Sequence, residues 1–399
     1  MIYTLYRFLE KDNWLAEHGM GFFRVFGYAN FRAIVAIILS FLLVLFTARS
    51  TIRWLLKQKI GDNPEFGHAD LNQIMKQKIN TPTMGGLLIS GAILICTLLL
   101  ADLTSFYVIM ALLCLIWLSL VGGFDDWLKL TSARRTPGSR EGLKFWEKIV
   151  FQLGLAVILG IFIHHYGVNK FVFEDPEIRD MSHSLTLPFL KSWQYIDQQY
   201  VPNPSVYVLG TWLFVMLTIL VIAGSSNAVN LTDGMDGLAS GITGICAFAL
   251  MILALIAGNK ATAQYLLVPH IPLSDELAIV AGAMVGSCLG FLWFNCSPAQ
   301  VFMGDTGSLP LGGLLGYIAV VIRQEFLLFV IGGVFVIEAV SVMLQVGFFR
   351  FSGGRRIFKC APIHHHFHLL GWTEQQVVVR FWLLSAIFAA IALATLRLR

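Results

Sequence analysis

Two adjacent aspartates, Asp125 and Asp126, stand in "VGGFDDWLKL" directly after an uncharged run, "MALLCLIWLSL". A carboxylate in hydrocarbon is costly, so such a pair belongs at a water boundary and has a task there. Four other stretches carry polar groups equally expensive beside apolar runs. "MKQKINTPTMGG" supplies Lys78, Asn80, Thr81 and Thr83; "GSSNAVNLTDGMDGLAS" supplies Asn227, Asn230, Asp233 and Asp236. "FNCSPAQVFMGDTGS" supplies Asn295, Phe302, Asp305 and Thr306, and "CAPIHHHFHLLGW" supplies His364, His365, His366 and His368. Each has a plain alternative. An Asp pair can cap a helix, although at a helix C-terminus it would oppose the macrodipole. Asx and Gly residues make tight turns, Asp305 can be an N-cap, clustered imidazoles bind transition metals, and a boundary lysine such as Lys78 can snorkel. Taken together, the carboxylates, amides, lysines and histidines are better explained by phosphate chemistry with magnesium. Mg²⁺ takes one or two carboxylates plus phosphate oxygens, Lys129 and Lys78 neutralise diphosphate charge, and Asn side chains orient it. There is no Walker A sequence, no GxGxxG after a strand and no calcium-loop spacing, which excludes those nucleotide and calcium sites.

The elements that must carry these groups are membrane helices. Of 399 residues, 57% are hydrophobic and 13% charged, about half the charge of a soluble domain, and the mean hydropathy is +0.73. No linker or composition shift divides the chain, so residues 1–399 read as one polytopic domain of an all-α integral membrane protein. A span needs about 20 apolar residues. Ten ranges qualify: 24–48, 81–101, 105–124, 145–167, 206–224, 237–259, 277–294, 308–323, 326–349 and 377–396, the eighth being short and glycine-rich. The six cysteines lack CxxC spacing, the N-terminus lacks the layout of a cleaved signal, and no internal repeat is visible.

Ten spans sort the connections into two sets. Residues 49–80, 125–144, 225–236, 295–307 and 350–376 hold fifteen of the 28 basic residues, against nine in the other loops and tails. Basic residues favour the cytoplasm, so this set faces inside and both termini face outside. All five polar clusters fall in the inside set. The longest outside connection, 168–205, is broken by Pro188, Pro202 and Pro204 and is expected to form a hairpin or a lid. In the ninth span Glu338 and Gln345 share a face, which points either to a cleft for a lipid acceptor or to a hydrogen bond with a neighbouring helix. A secondary transporter would place its charges within spans and repeats, and lysines inside the clusters oppose a cation channel.

"GGFDDWLKL", "NLTDGMDGL", "FMGDTGS", "APIHHHF" and "QKINTPTMGG" together resemble the polyprenyl-phosphate N-acetylhexosamine-1-phosphate transferases over almost the whole chain, and within them the muramoyl-pentapeptide branch. The resemblance implies transfer of phospho-N-acetylmuramoyl-pentapeptide from its UDP-linked precursor to undecaprenyl phosphate, giving lipid I and UMP. That is the first membrane step of peptidoglycan synthesis, at the bacterial inner membrane. It implies Mg²⁺ on Asp305 and Asp126, and a catalytic set of Asp125, Asp126, Asp305 and His364, with Asp125 as the base. Substrate contacts are implied at Lys78, Thr81, Thr83, Lys129, Asn230, Asp233, Asp236, Asn295, Phe302, Gln345, His365 and His366. A homodimer is implied as well. A phospho-aspartyl two-step route stays open, as does a sister transferase using UDP-N-acetylglucosamine, against which the histidine run argues. His368 stands where the family usually carries an acidic residue, so the local charge there differs.

Overall fold

In a computed structural model of the chain, residues 1–11, 21–58, 81–135 and 142–397 are described. An amphipathic helix α1 (Ile2–Lys11) and a 3-10 segment lead into α2 (Ala29–Lys57), followed by α3 (Gly86–Leu100), α4 (Phe106–Arg135) and α5 (Phe145–Val168). Next come α6 (Pro176–Ser182) and the short strands β1 (Ser184–Leu185), β2 (Trp193–Ile196), β3 (Gln199–Pro202) and β4 (Tyr207–Val208). Then follow α7 (Thr211–Thr232), α8 (Leu238–Gly258), α9 (Lys260–Tyr265), α10 (Leu277–Asn295) and α11 (Asp305–Val321). The chain closes with α12 (Glu325–Ile331), α13 (Gly333–Phe351), α14 (Ile363–Leu369) and α15 (Glu374–Thr395).

Each of the ten apolar ranges contains a helix. Among the described residues, eight segments are long and apolar enough to cross a membrane, while α3 and α11 are shorter. The ninth range is divided at Gly332 into α12 and α13, as glycine often divides a helix. Helix α4 does not stop where its hydropathy stops. It runs on to Arg135, so Asp125 and Asp126 lie within a helix and not in the connection expected after it. Helix α7 likewise runs to Thr232 and includes Asn227 and Asn230. Backbone hydrogen bonding is indifferent to side-chain charge, and Leu128, Lys129 and Leu130 are good helix formers. The 168–205 connection contains a hairpin, one of the two forms expected for it: β2 and β3 pair antiparallel, Trp193 opposite Pro202 and Ile196 opposite Gln199. Asp197 and Gln198 both take positive φ, 47° and 63°, as a two-residue type I′ hairpin turn demands.

The centre of the bundle is α11, every residue of which is buried. It packs against α4, α7 and α3, and its glycines allow this closeness. A second tight pair is α2 against α10, where Gly282, Gly286 and Gly290 face the carbonyls of Ala33, Ile37 and Phe41. Small residues at fourfold spacing let two helix backbones approach. At the end of the bundle away from the polar clusters, Arg32 of α2 grips Glu276 before α10 with two hydrogen bonds of 2.8 and 2.6 Å. Glu276 also accepts the Asp102 N–H at 2.8 Å, and the Arg32 guanidinium donates to the Leu100 carbonyl at 3.0 Å. Three elements are thereby fastened through one buried ion pair.

The α2–α10 contact leaves no room for a methyl group at Gly286, whose Cβ would overlap the Ile37 carbonyl and the Ser40 hydroxyl, whereas Gly91 has nothing within 4 Å. Overpacking costs about 1–3 kcal/mol. Gly286→Ala is therefore expected to lower the thermal denaturation midpoint of the detergent-solubilised protein, and Gly91→Ala to leave it unchanged or raise it. Equal midpoints would refute the tight contact.

Candidate active site

The N-terminus of α11 delivers Asp305 to the side of α4. Gly122, one turn before the aspartate pair, makes this possible, since a Cβ there would overlap the Asp305 carbonyl. Gly304 takes φ +71°, and a Cβ on it would fall 2.5 Å from Asp126 Oδ2, so glycine is required on both grounds. Asp126 then receives the unpaired donors of the helix end. Its Oδ2 accepts the Thr306 N–H at 2.9 Å and the Thr306 hydroxyl at 2.7 Å, and its Oδ1 accepts the Asp305 N–H at 3.2 Å. An acidic group is well placed at a helix N-terminus, although this one belongs to another helix.

Asp125, Asp126 and Asp305 offer carboxylate oxygens that all lie within 4.8 Å of one another. Such crowding is tolerated because two ammonium groups stand among them. Lys129 Nζ is 2.6 Å from Asp125 Oδ2, 3.4 Å from Asp305 Oδ1 and 3.8 Å from Asp126 Oδ1. Lys148 Nζ, from the first turn of α5, is 2.8 Å from Asp125 Oδ2 and 2.6 Å from Asp305 Oδ2. Asn230 of α7 donates to Asp305 Oδ1 at 2.8 Å and to Ser308 at 2.9 Å. The Leu143 N–H donates to Asp125 Oδ1 at 2.7 Å and ties down the approach to α5.

Three other segments border this centre. The 81–86 stretch is laced to 301–303: Phe302 N–H donates to the Pro82 carbonyl, Gly85 N–H to the Phe302 carbonyl, both at 2.8 Å, and Gly86 N–H to the Met303 carbonyl at 2.9 Å. Thr83 is buried close to Gly304, while Thr81 and Phe302 are half-buried. The 233–237 turn is held by Asp236, whose Oδ2 accepts Ala299 N–H at 3.0 Å and whose own N–H donates to Glu374 at 2.9 Å. Asn295 joins the same turn to the 296–301 loop, accepting from Gly237 N–H at 3.0 Å and donating to the Val301 carbonyl at 2.8 Å. Burial pushes the Asp233 carboxyl up to about 8, with the charges of Asp305 and Asp126 adding to the shift and the Gly304 N–H opposing it. Over this turn lies α14, with His364 and His365 both near Gly234.

The structure thus brings Asp125, Asp126, Lys129, Asn230 and Asp305 into direct contact, and sets Thr83, Asp233, Phe302, His364 and His365 around them. Lys78 lies outside the described residues. Gln345 is placed otherwise than expected. Its Oε1 accepts the Ile357 and Phe358 N–H groups at 3.1 and 2.9 Å, so it anchors the following loop. His366 also faces that loop, accepting the Lys359 N–H at 3.1 Å. Asn295 and Asp236 act as ties between loops. Sequence reasoning missed Lys148, whose position in the opening turn of an apolar helix looks like any boundary lysine.

The donor set suits magnesium. Carboxylate oxygens are hard ligands, and about 2.1 Å per Mg–O bond places opposite ligands about 4.2 Å apart, close to the spacing of this cluster. Asp305 faces the ammonium groups, and Asp126 keeps a lone pair on Oδ1, where its hydrogen bond is longest.

Residues 108–323 match glycosyl transferase family 4, a range holding every carboxylate of the cluster and both lysines. Over nearly full length the chain is similar to proteins named phospho-N-acetylmuramoyl-pentapeptide-transferase. That of Desulfotalea psychrophila is 44% identical over 378 residues, covering 94% of this chain and 96% of the relative. That of Thermodesulfovibrio yellowstonii is 42% identical over 379 residues, covering 94% and 95%. That of Francisella philomiragia is 43% identical over 389 residues, covering 97% and 98%. The histidine helix and the 81–86 stretch, outside the family 4 range, fall within these longer matches. The chain belongs to glycosyl transferase family 4 and, within it, to the phospho-N-acetylmuramoyl-pentapeptide-transferases.

Proposed function

We propose that the protein transfers phospho-N-acetylmuramoyl-pentapeptide from UDP to undecaprenyl phosphate, releasing UMP and forming lipid I, with Mg²⁺ and at the cytoplasmic face of the bacterial inner membrane. The observation that carries this reading is the carboxylate–lysine cluster at one end of a membrane helix bundle, in a chain matching transferases of that name over nearly its full length. Ten spans with both termini outside would put the cluster where a soluble nucleotide and a lipid phosphate can meet.

Asp305 and Asp126 would hold the magnesium ion, which supplies Lewis-acid charge to the diphosphate. Lys129 and Lys148 are now neutralised by Asp125 and Asp305. An arriving diphosphate competes for the same ammonium groups, so both lysines would turn part of their charge toward phosphate oxygens and stabilise the UMP leaving group. Asp125 Oδ2, between both lysines, orients them and the incoming lipid phosphate. A lipid phosphate that is already an anion needs little deprotonation to attack. Asn230 fixes the Asp305 carboxylate, and Asp233 with the 233–237 turn offers the seat for nucleotide and sugar.

The acceptor chain needs an apolar surface next to this centre. Helix α13 carries a groove of about 600 Å³ lined by Val342, Met343, Val346, Gly347, Arg350 and Phe351. That volume suits a ligand segment, and Arg350 adds a cation at its end. This favours the ninth span for the acceptor, as expected, but on a different face from Glu338 and Gln345.

Purified protein with undecaprenyl phosphate and Mg²⁺ is expected to release UMP from UDP-N-acetylmuramoyl-pentapeptide and not from UDP-N-acetylglucosamine. Release from the second substrate alone would reassign the protein to the sister reaction. Asp305→Ala should reduce turnover by at least about 10³-fold and Lys148→Met by about 10²-fold, the scale of losing a charge partner in a transition state, each with an unchanged elution profile. Wild-type turnover in either would remove that residue from the mechanism. Val346→Trp should raise KM for the lipid about tenfold, measured in mixed micelles, with the nucleotide KM unaffected; an unchanged lipid KM would exclude the groove.

A further inference from the structure

Glu338 lies in α13 and is fully buried, as is His364 of α14. Their closest approach is an ion pair of 3.0 Å between His364 Nδ1 and Glu338 Oε2, off the angle of a good hydrogen bond. Glu338 Oε1 and His364 Nε2 have no hydrogen-bond partner at all. A buried carboxylate left unpaired costs several kcal/mol, and a neutral amide would tie two helices together equally well. Retaining a charge here makes sense when the partner carries the opposite charge during function. The other face of the ring gives the direction. A Cβ on Gly234 would lie 2.5 Å from His364 Nε2, so the unpartnered nitrogen faces the 233–237 turn, the seat assigned above to the nucleotide.

We infer that Glu338 is a positioning residue for His364: it keeps the proton on Nδ1, fixes the ring, and stabilises the imidazolium formed when Nε2 takes a second proton against the anionic diphosphate. The arrangement has the logic of a carboxylate–imidazole pair in acyl transfer, where the carboxylate sets tautomer and orientation. It rests on the nucleotide-diphosphate reading of the site. The charged and titratable groups on the elements around α14 are Glu338 on α13, Asp233 and Asp236 on the turn, and Glu374 and Arg380 on α15. Lys359 in the preceding loop and His365, His366 and His368 on α14 itself complete the set. Of these, Glu338 forms an ion pair with His364. His365 lies beside His364 with ring centroids 4.2 Å apart and planes tilted by 56°, which limits the rotation of both rings.

Glu338→Gln keeps the shape and removes the charge. It is expected to lower kcat for UMP release about 10²-fold while changing the nucleotide KM less than about threefold. Glu338→Asp should recover part of the activity, and His364→Gln should lose as much as Glu338→Gln. The double variant E338Q/H364Q should be no slower than the slower single variant, since Glu338 acts through His364. Wild-type kcat in E338Q, no recovery of activity in E338D, or a double variant whose loss is the product of the singles would overturn the inference. If E338Q does not fold, E338D carries the test, and a double variant E338D/H364Q slower than H364Q overturns the inference as well. Absence of UMP release by the unaltered protein would instead defeat the transferase reading itself.

Discussion

Three carboxylates that converge within 4.8 Å repel one another, and the rest of the structure depends on how that repulsion is held in check. Two independent sources of positive charge do it. The N-terminus of α11 gives its amide donors to Asp126, and Lys129 and Lys148 lie between Asp125 and Asp305 at contacts of 2.6–3.4 Å. Each lysine alone would leave an uncompensated buried charge, at a cost of several kcal/mol. The same balance prepares the site for phosphate, because an anion and its metal can exchange with contacts already present and no new charge has to be buried.

The placement of α11 follows from this requirement. A helix whose first residue must touch three neighbours cannot stand at the edge of the bundle. It is enclosed on all sides, and its glycines and those facing it are what enclosure demands. Gly122 admits the α11 backbone to α4, Gly86 and Gly307 face each other across α3 and α11, and Gly312 and Gly316 sit against the Ser225–Ser226 turn of α7. The composition that made this range look like the weakest span is therefore the consequence of its central position. A longer, leucine-rich helix would cross a membrane more comfortably but could not bring Asp305 to Asp126.

Much of this was legible in the sequence. Hydropathy located all ten apolar helices, and the Asp, Asn and His clusters identified most groups now found at one end. What escaped has physical causes. Charge at Asp125 ended the hydropathy of α4 but not its backbone hydrogen bonding, so the pair lies within a helix and its capping partner comes from α11, 179 residues away in the chain for the Asp126–Asp305 bond. Lys148 carries no local signal, since its role appears only when α5 packs beside α4. Gln345 and Glu338 share a helix face as periodicity requires, yet the break at Gly332 and the return of the 352–362 loop decide what that face meets, and neither is encoded in spacing.

That break explains how one end of the bundle can serve two substrates of opposite character. Division at Gly332 leaves α13 with much of its apolar surface uncovered, including Met343, Leu344, Val346 and Phe351, while its inner face still brings Glu338 to His364. One side of a single helix is thus open to a lipid chain, and the other supports the polar turn proposed as the nucleotide's seat. The two faces are separated by the width of a helix, about 10 Å. On the proposed reading, a lipid chain and a nucleotide would approach from opposite sides of α13 without either crossing the other's path.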